Sequence, residues 1–243
     1  RPSWTSSATI ESPRTSWTLG ESGIAFANGF VSVEKGRVEF LAHAPANRAD
    51  VGLPFAYDAK AQAPLWLAFL RSCFRDDADC EQRILLLQEF WGGSLAGVAT
   101  RYQKCCVLVG KGGEGKSCAL SILYALFPDK LRAAIRPQDF GKEYSRARLA
   151  GVRVNVVNEA PPNDITDSNA FKSIVTGNPI SARDPYGRPF MLVSVAGQIY
   201  ACNLLPGTSD FSTGFWYRFF VIPWTLRFRG TKDEQADLDR KII

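Results

Sequence analysis

The chain has 243 residues, 46% of them hydrophobic and 22% charged, with a formal charge of +5. That balance excludes disorder and collagen-like repeats, leaves room for a sizeable core in one large domain or two small ones, and permits a phosphate-bearing partner without demanding one. No apolar run nears the ~20 residues of a membrane span, and none carries the basic flank and cleavage site of a secretory leader.

Six cysteines (Cys73, Cys80, Cys105, Cys106, Cys118 and Cys202) show no Cys-x-x-Cys spacing, and the single histidine, His43, has no ligand-like neighbour. A zinc centre and a histidine general base are therefore not expected. Reduced core thiols in a cytosolic setting fit the pattern better, with Cys105 and Cys106 in an apolar run and Cys118 in a buried helix.

Taken in order, residues 1 to about 20 are rich in Ser, Thr and Pro, with Trp4 and Trp17 as isolated anchors. They read as a linker extending to residue 22. The chain opens on Arg1 rather than Met and reads as a piece of something longer. Apolar residues from Ile24 to Val33 flank Asn28-Gly29, a hairpin-turn signal, and Val38 to Leu41 is the next strand candidate. From Pro64 to Phe74 the apolar set Leu65, Trp66, Phe69 and Leu70 recurs at helical spacing, and Pro64 suits the first turn. A second helix runs from Asp79 to Trp91, ended or interrupted by Gly92-Gly93. Residues 23–100 are expected to form a small, mostly helical domain.

After Tyr102 the pattern changes. Cys105 to Val109 is a buried-strand candidate, followed by a glycine-rich turn and a helix through Ala119, Leu120, Ile122, Leu123 and Leu126. Further strands are read at Ala133 to Ile135, Val152 to Val157, Gln198 to Cys202 and Phe219 to Ile222. Strands separated by helical segments predict an α/β sheet with crossovers over residues 101–243.

The sharpest motif is Gly110-Lys-Gly-Gly-Glu-Gly-Lys116-Ser117, which fits G-x-x-x-x-G-K-[ST] between a strand and a helix. Its glycines let backbone amides wrap a phosphate, and the helix N-terminus adds a favourable dipole. Gly110, Gly112, Gly113, Gly115, Lys116, Ser117 and Cys118 are the nucleotide-binding set. Lys116 reaches for the β- and γ-phosphates and Ser117 for Mg²⁺. Glu114 places a negative charge inside the loop and is expected to point outward. Glu159, at the end of the Val152–Val157 strand, is placed to orient water for nucleotide hydrolysis and to meet the metal through water. Asn158 before it supplies no second charge. Asn203 at the tip of the next strand is either a water-orienting residue or an ordinary strand-ending Asn. Arg218, among aromatics in Gly214-Phe-Trp-Tyr-Arg-Phe-Phe, is either packed by cation–π contact or an ion pair, or a finger for a neighbour's γ-phosphate.

These residues resemble the superfamily 3 helicase domain of phage and plasmid primase-helicases, related to the poxvirus primase-helicase. Four blocks carry the likeness: Gly110 to Ser117; Leu149 to Glu159; Phe171 to Arg183 with Tyr186 and Arg188-Pro-Phe190; and Cys202 to Pro206 with Asp210 and Gly214 to Arg218. Asn28-Gly29 and Tyr57-Asp58 through Gln88-Glu89 are similar to the helical domain that precedes such ATPases. The resemblance implies an AAA+-like P-loop ATPase with a central parallel sheet, behind a helical collar used for oligomerisation. It implies ATP and Mg²⁺ as cofactors and a ring, usually a hexamer. Lys116, Glu159 and Asn203 (as a sensor) would come from one subunit and Arg218 from the next. A hairpin tipped by Arg183-Asp-Pro-Tyr-Gly-Arg188 would grip single-stranded or forked DNA through Arg183, Tyr186 and Arg188, with Lys172 on the helix before it. Translocation 3′ to 5′, an associated primase-polymerase and a place in the host-cell cytoplasm follow from the same likeness. Asn158 departs from the acid found in many relatives, and Asp237 to Ile243 resembles the start of a helix that continues in the family. Two other readings remain open: a P-loop kinase of small molecules, and a non-unwinding ATP-binding ring that loads a polymerase.

Overall fold

The computed structural model describes residues 22–34, 37–47, 49, 51–235 and 237–243. The expected linker lies outside them apart from Ser22. Strands β1 (Gly23–Phe26), β2 (Gly29–Glu34) and β3 (Arg37–Leu41) form an antiparallel meander. Phe26 pairs with Gly29, so the two-residue turn is Ala27-Asn28, one position before the Asn-Gly dipeptide. Gly29 is required by proximity instead: a Cβ there would sit 2.6 Å from the Leu41 carbonyl oxygen. Asn28 ties the turn to the following loop. Its Oδ1 accepts from the Tyr57 N–H at 2.8 Å, and its Nδ2 donates to the Tyr57 carbonyl at 3.0 Å.

Helix α1 (Pro64–Cys73) begins on its proline, as the missing N–H allows. In α2 (Cys80–Leu95) the residues Ile84, Leu87 and Trp91 are buried while Leu85 and Leu86 are exposed, the one-sided pattern of a packed helix. Contrary to the expected stop, α2 continues through Gly92-Gly93. A side chain at Gly93 would meet the Tyr102 ring at 2.8 Å, so the glycine serves close packing rather than termination. The described residues up to 100 thus mix three strands with two α-helices.

The main sheet contains β4 (Cys105–Val109), β5 (Arg132–Ala133), β6 (Val154–Val157), and, after the hairpin β7 (Ile180–Arg183) and β8 (Pro189–Leu192), β9 (Gly197–Cys202) and β10 (Phe219–Pro223). The order is β10-β4-β9-β6-β5, with every pairing parallel. Strand β4 reads as a continuous apolar run because both faces are covered, and β6 and β9 are buried throughout, interrupted only by the amides Asn155 and Gln198. Cys106 and Leu108 face one core with α1, α2 and α3 (Lys116–Leu126), where Phe74, Leu87, Leu123 and Trp224 pack. Cys105 and Val107 face the other, with α4 (Glu143–Ala147), α5 (Ser168–Thr176) and α6 (Thr213–Trp216), where Phe140, Phe171 and Phe215 pack. The helices of residues 64–95 share a continuous core with the sheet across residue 100. A short helix, α7 (Leu238–Ile242), lies against α3. Among the described residues no helix is long and apolar enough to cross a membrane.

Strand β5 is shorter than the sequence suggests, because Ile135 is paired by a side chain. Its N–H donates to Asn155 Oδ1 at 2.7 Å, and its carbonyl accepts from Asn155 Nδ2 at 2.8 Å. The same amide reaches Gln198 Oε1, which also accepts from the Tyr200 hydroxyl. Asn155 is completely buried. Replacing it with leucine strands the Ile135 N–H and carbonyl, at about 1–3 kcal/mol for each unsatisfied group, while Gln198 Oε1 keeps the Tyr200 hydroxyl. Urea unfolding of Asn155→Leu should therefore show a loss of roughly 3 kcal/mol, and a loss under about 0.5 kcal/mol would refute this account.

The six cysteines are free thiols. Four are buried, whereas Cys80 and Cys118 are half-buried, so Cys118 is less enclosed than its helix pattern implies. Burial pushes the Cys73 thiol up to about 12, and Cys118 to about 11, which leaves both protonated and unreactive.

Candidate functional site

The loop from β4 to α3 holds Gly112, Gly113 and Gly115 at φ of +115°, +85° and +94°, a region that only glycine enters freely. Both sides of the loop are clamped. On one side α1 packs against it, with Phe69 and Cys73 at 3.2 and 3.4 Å from where a Gly115 Cβ would stand. On the other, the segment after β10 is hydrogen-bonded to it, Phe228 N–H and Arg229 N–H both donating to the Gly113 carbonyl at 2.8 and 3.2 Å. Gly110 donates to the Cys202 carbonyl at 3.2 Å, which couples the loop to β9.

Glu114 does not point outward. Its carboxylate turns into the loop, where it is 4% exposed. Both of its oxygens accept from the Gly112 N–H, at 2.6 and 2.8 Å, and Oε2 accepts from Lys116 Nζ at 2.9 Å. Burial alone would raise this carboxyl; the bonds from Lys116 and Gly112 outweigh it and hold the group below the usual carboxylate range. The outward expectation weighed Glu114 only against a bound phosphate. The loop's own amide and ammonium attract it first.

A cleft of about 910 Å³ opens at the C-terminal ends of β4, β9 and β6. It brings together Gly112, Gly113, Gly115, Lys116, Ser117, Cys118, Glu159 and Asn203. β9 is the middle strand, so Asn203 lies between the loop and Glu159. Glu159 follows β6 at φ +65°. A non-glycine residue held there costs about 1–3 kcal/mol, and strain of this kind persists where a side chain must be aimed. Its neighbour Asn158 also lines the cleft. Sequence reasoning missed the cleft's other walls, Phe69 and Ser72 from α1 and Phe228, Arg229 and Leu238 from the chain after β10. Phe69 was legible as a buried helix position, but its periodicity does not say what covers it. The polar stretch from Arg229 to Asp237 carries no periodic signal at all.

Arg218 is not in this cleft. It precedes β10, and its carbonyl accepts from the Cys105 N–H at 2.7 Å, which puts it at the opposite end of the sheet. Five residues of β4 separate it from its own loop, roughly 15 Å at ~3.3 Å per residue. Its guanidinium donates to Gln103 Oε1 at 3.0 Å. Among the described residues it makes neither an ion pair nor a cation–π contact, so that sequence alternative is not realised. Its chain neighbours Trp216 and Tyr217 are exposed.

The hairpin of β7 and β8 stands between β6 and β9 in the chain. Tyr186 at its tip is fully exposed at φ +60°, and Arg188 is exposed beside it. Arg183 braces the turn, donating from Nε to the Gly187 carbonyl at 3.0 Å. Lys172 lies on α5 and pairs with Asp210 at 2.9 Å. Hydrogen bonds from Ser212, Lys172 and Ser168 hold the Asp210 carboxyl far below its ordinary range. The hairpin's base is fixed by a residue the sequence did not flag: buried Arg146 of α4 donates to the carbonyls of Ser181, Phe140 and Gly141 at 2.8, 2.8 and 3.1 Å.

Residues 108–218 match a family of unknown function, DUF5906, a segment that runs from the end of β4 to Arg218 and so contains the loop, Glu159, the hairpin and Asn203. Among curated proteins there is no match. Among solved structures, the A-form apo structure of the NrS-1 C-terminal region is similar at a TM-score of 0.55 and 14% identity over 94% of this chain. A further apo structure of that region gives a TM-score of 0.56 at 14% identity over 96% of this chain and 67% of its own. The chain spans 64% of the length of the first of these structures. At that identity the likeness is one of fold: a mixed α/β architecture on a five-stranded parallel sheet, shared with the NrS-1 C-terminal region.

Proposed function

We propose that the chain is an AAA+-like ATPase of the superfamily 3 helicase type, part of a phage or mobile-element replication protein that moves along single-stranded DNA as a ring. The observation that carries this reading is the convergence of Lys116, Ser117, Asn203 and Glu159 at the tips of three adjacent parallel strands, within one cleft.

The donor set fits a triphosphate. The loop offers the Gly112 amide, which meets an anion already in the Glu114 carboxylate, a buried lysine and the start of an 11-residue helix, and the space beside Gly112 is open. Among the described residues no group of three His, Cys, Asp or Glu is placed for a metal, so Mg²⁺ would be held by the Ser117 hydroxyl and the nucleotide, with Glu159 reached through water. Bound there, it would neutralise charge on the phosphates. Lys116 holds the β- and γ-phosphates. Asn203 orients a water, and Glu159 takes its proton as the oxygen bonds to the γ-phosphorus and the β–γ bridging P–O bond breaks. Arg218, too far from its own loop, meets the cleft of the next subunit, and the exposed Trp216 and Tyr217 beside it give that contact an apolar surface. Around the channel, Arg188 and Arg183 meet phosphates and Tyr186 stacks on a base, while Lys172 stays paired at the hairpin's foot. A hexameric ring, 3′ to 5′ movement, an attached primase-polymerase and a host-cell cytoplasmic setting belong to the same proposal.

Steady-state hydrolysis with and without single-stranded DNA tests it. ATP turnover should rise on adding DNA, and Lys116→Ala should abolish it. Turnover that ignores DNA favours a loading ring, and phosphotransfer from a persistent monomer to a small acceptor favours a kinase. Arg188→Ala should weaken DNA binding about three- to tenfold and lower the salt slope, since each lost phosphate contact removes a released counterion. An unchanged affinity and slope would remove the hairpin from the DNA interface.

A further inference from the structure

We propose that Glu114 is a built-in competitor of phosphate, an intramolecular anion that holds the glycine-rich loop until a polyphosphate displaces it. This rests on the reading of the loop as a phosphate cradle. The Glu114 carboxylate uses the donors that a phosphate needs there. The Gly112 N–H lies 2.6 and 2.8 Å from its two oxygens, and Lys116 Nζ lies 2.9 Å from one of them. These are short, charge-assisted bonds in a site where Glu114 is 4% and Lys116 8% exposed. Lys116 has donors to spare, but a second anion at the same amide would sit against the carboxylate in surroundings that screen poorly. Glu114 and phosphate therefore exclude one another.

The loop is built to let the carboxylate leave. Glu114 stands between Gly113 and Gly115, whose backbones are held by the Phe228 and Arg229 amides and by α1, so the carboxylate leaves by rotating about its own side-chain bonds while the loop stays in place. The space beside Gly112 is open to 4 Å. Outside it, Arg229 lies along Gly113 with no carboxylate partner among the described residues, and offers the displaced anion a place to settle. The measured affinity for a nucleotide is then its intrinsic affinity multiplied by the fraction of molecules with Glu114 swung out. A ligand with several phosphate oxygens replaces both of the carboxylate's partners, whereas a nucleoside without phosphate gains nothing from its removal.

Calorimetric titration of the whole chain and of the variants Glu114→Gln and Glu114→Ala with ATP, inorganic pyrophosphate and adenosine tests this, with thermal melts to verify folding. ATP and pyrophosphate should bind roughly tenfold tighter to both variants. Adenosine binding should be unchanged. If the native chain binds ATP and the variants bind it equally or more weakly, or if adenosine tightens in parallel, Glu114 is a structural part of the loop and the proposal is overturned while the cradle stands. If neither the native chain nor the variants bind ATP or pyrophosphate, the cradle reading falls and the competitor falls with it.

Discussion

Glu159→Gln should leave ATP binding intact and lower turnover by about 10²- to 10⁴-fold, the share that a positioned general base contributes. The substitution keeps length, volume and most of the hydrogen-bonding capacity of the side chain. What it removes is the ability to take a proton from water. Binding is expected to survive because the proposed phosphate contacts lie in the loop, across β9 from Glu159. The backbone adds an independent check. Glu159 sits at φ +65°, where glycine is at ease and glutamate is not. Glu159→Gly should therefore raise stability in urea by about 1 kcal/mol while turnover falls as far as in Glu159→Gln. A site that trades stability for an aimed carboxylate predicts both effects together. Near-native turnover in Glu159→Gln would show that the proton goes elsewhere.

Much of the scaffold behind this prediction was legible because parallel strands buried on both faces cannot avoid continuous apolar runs. Cys105 to Val109 is such a run, Val154 to Val157 and Gln198 to Cys202 depart from it only at the buried amides Asn155 and Gln198, and their order along the chain already placed the glycine loop, Glu159 and Asn203 at strand ends. What escaped were the cases where one residue type answers two physical demands. Gly92 and Gly93 look like a helix stop, yet Gly93 is there to admit the Tyr102 ring. Ala133 to Ile135 looks like a longer strand, yet Asn155 takes over its pairing from the side. Glu114 looks repelled by the site, yet nothing repels it until a second anion arrives. Long-range walls were invisible for a different reason. The apolar stripe of α1 announces burial but not that Phe69 will be buried against Gly115, and Arg146 bears no local mark of the hairpin it anchors.

Arg218→Ala should leave nucleotide affinity unchanged and reduce hydrolysis by about 10³-fold or more, the contribution of an arginine finger supplied in trans. Among the described residues the side chain's one hydrogen bond is to Gln103, so stability should change by less than about 1 kcal/mol. A residue at the N-terminal end of β10 cannot reach a loop at the C-terminal end of β4, so a direct contact with the nucleotide would have to come from another copy. Mixing discriminates this from every cis account. Glu159→Gln subunits lack the base but carry Arg218; Arg218→Ala subunits carry the base but lack the arginine. Each is inactive alone. In a random one-to-one mixture assembled head to tail, about one interface in four joins an intact Glu159 to an intact Arg218, because each side is correct half the time. Turnover should therefore recover to about a quarter of the native value, and should do so only above the concentration at which subunits assemble. Two inactive variants that stay inactive in every mixture, while still forming mixed assemblies, would place Arg218 outside the reaction.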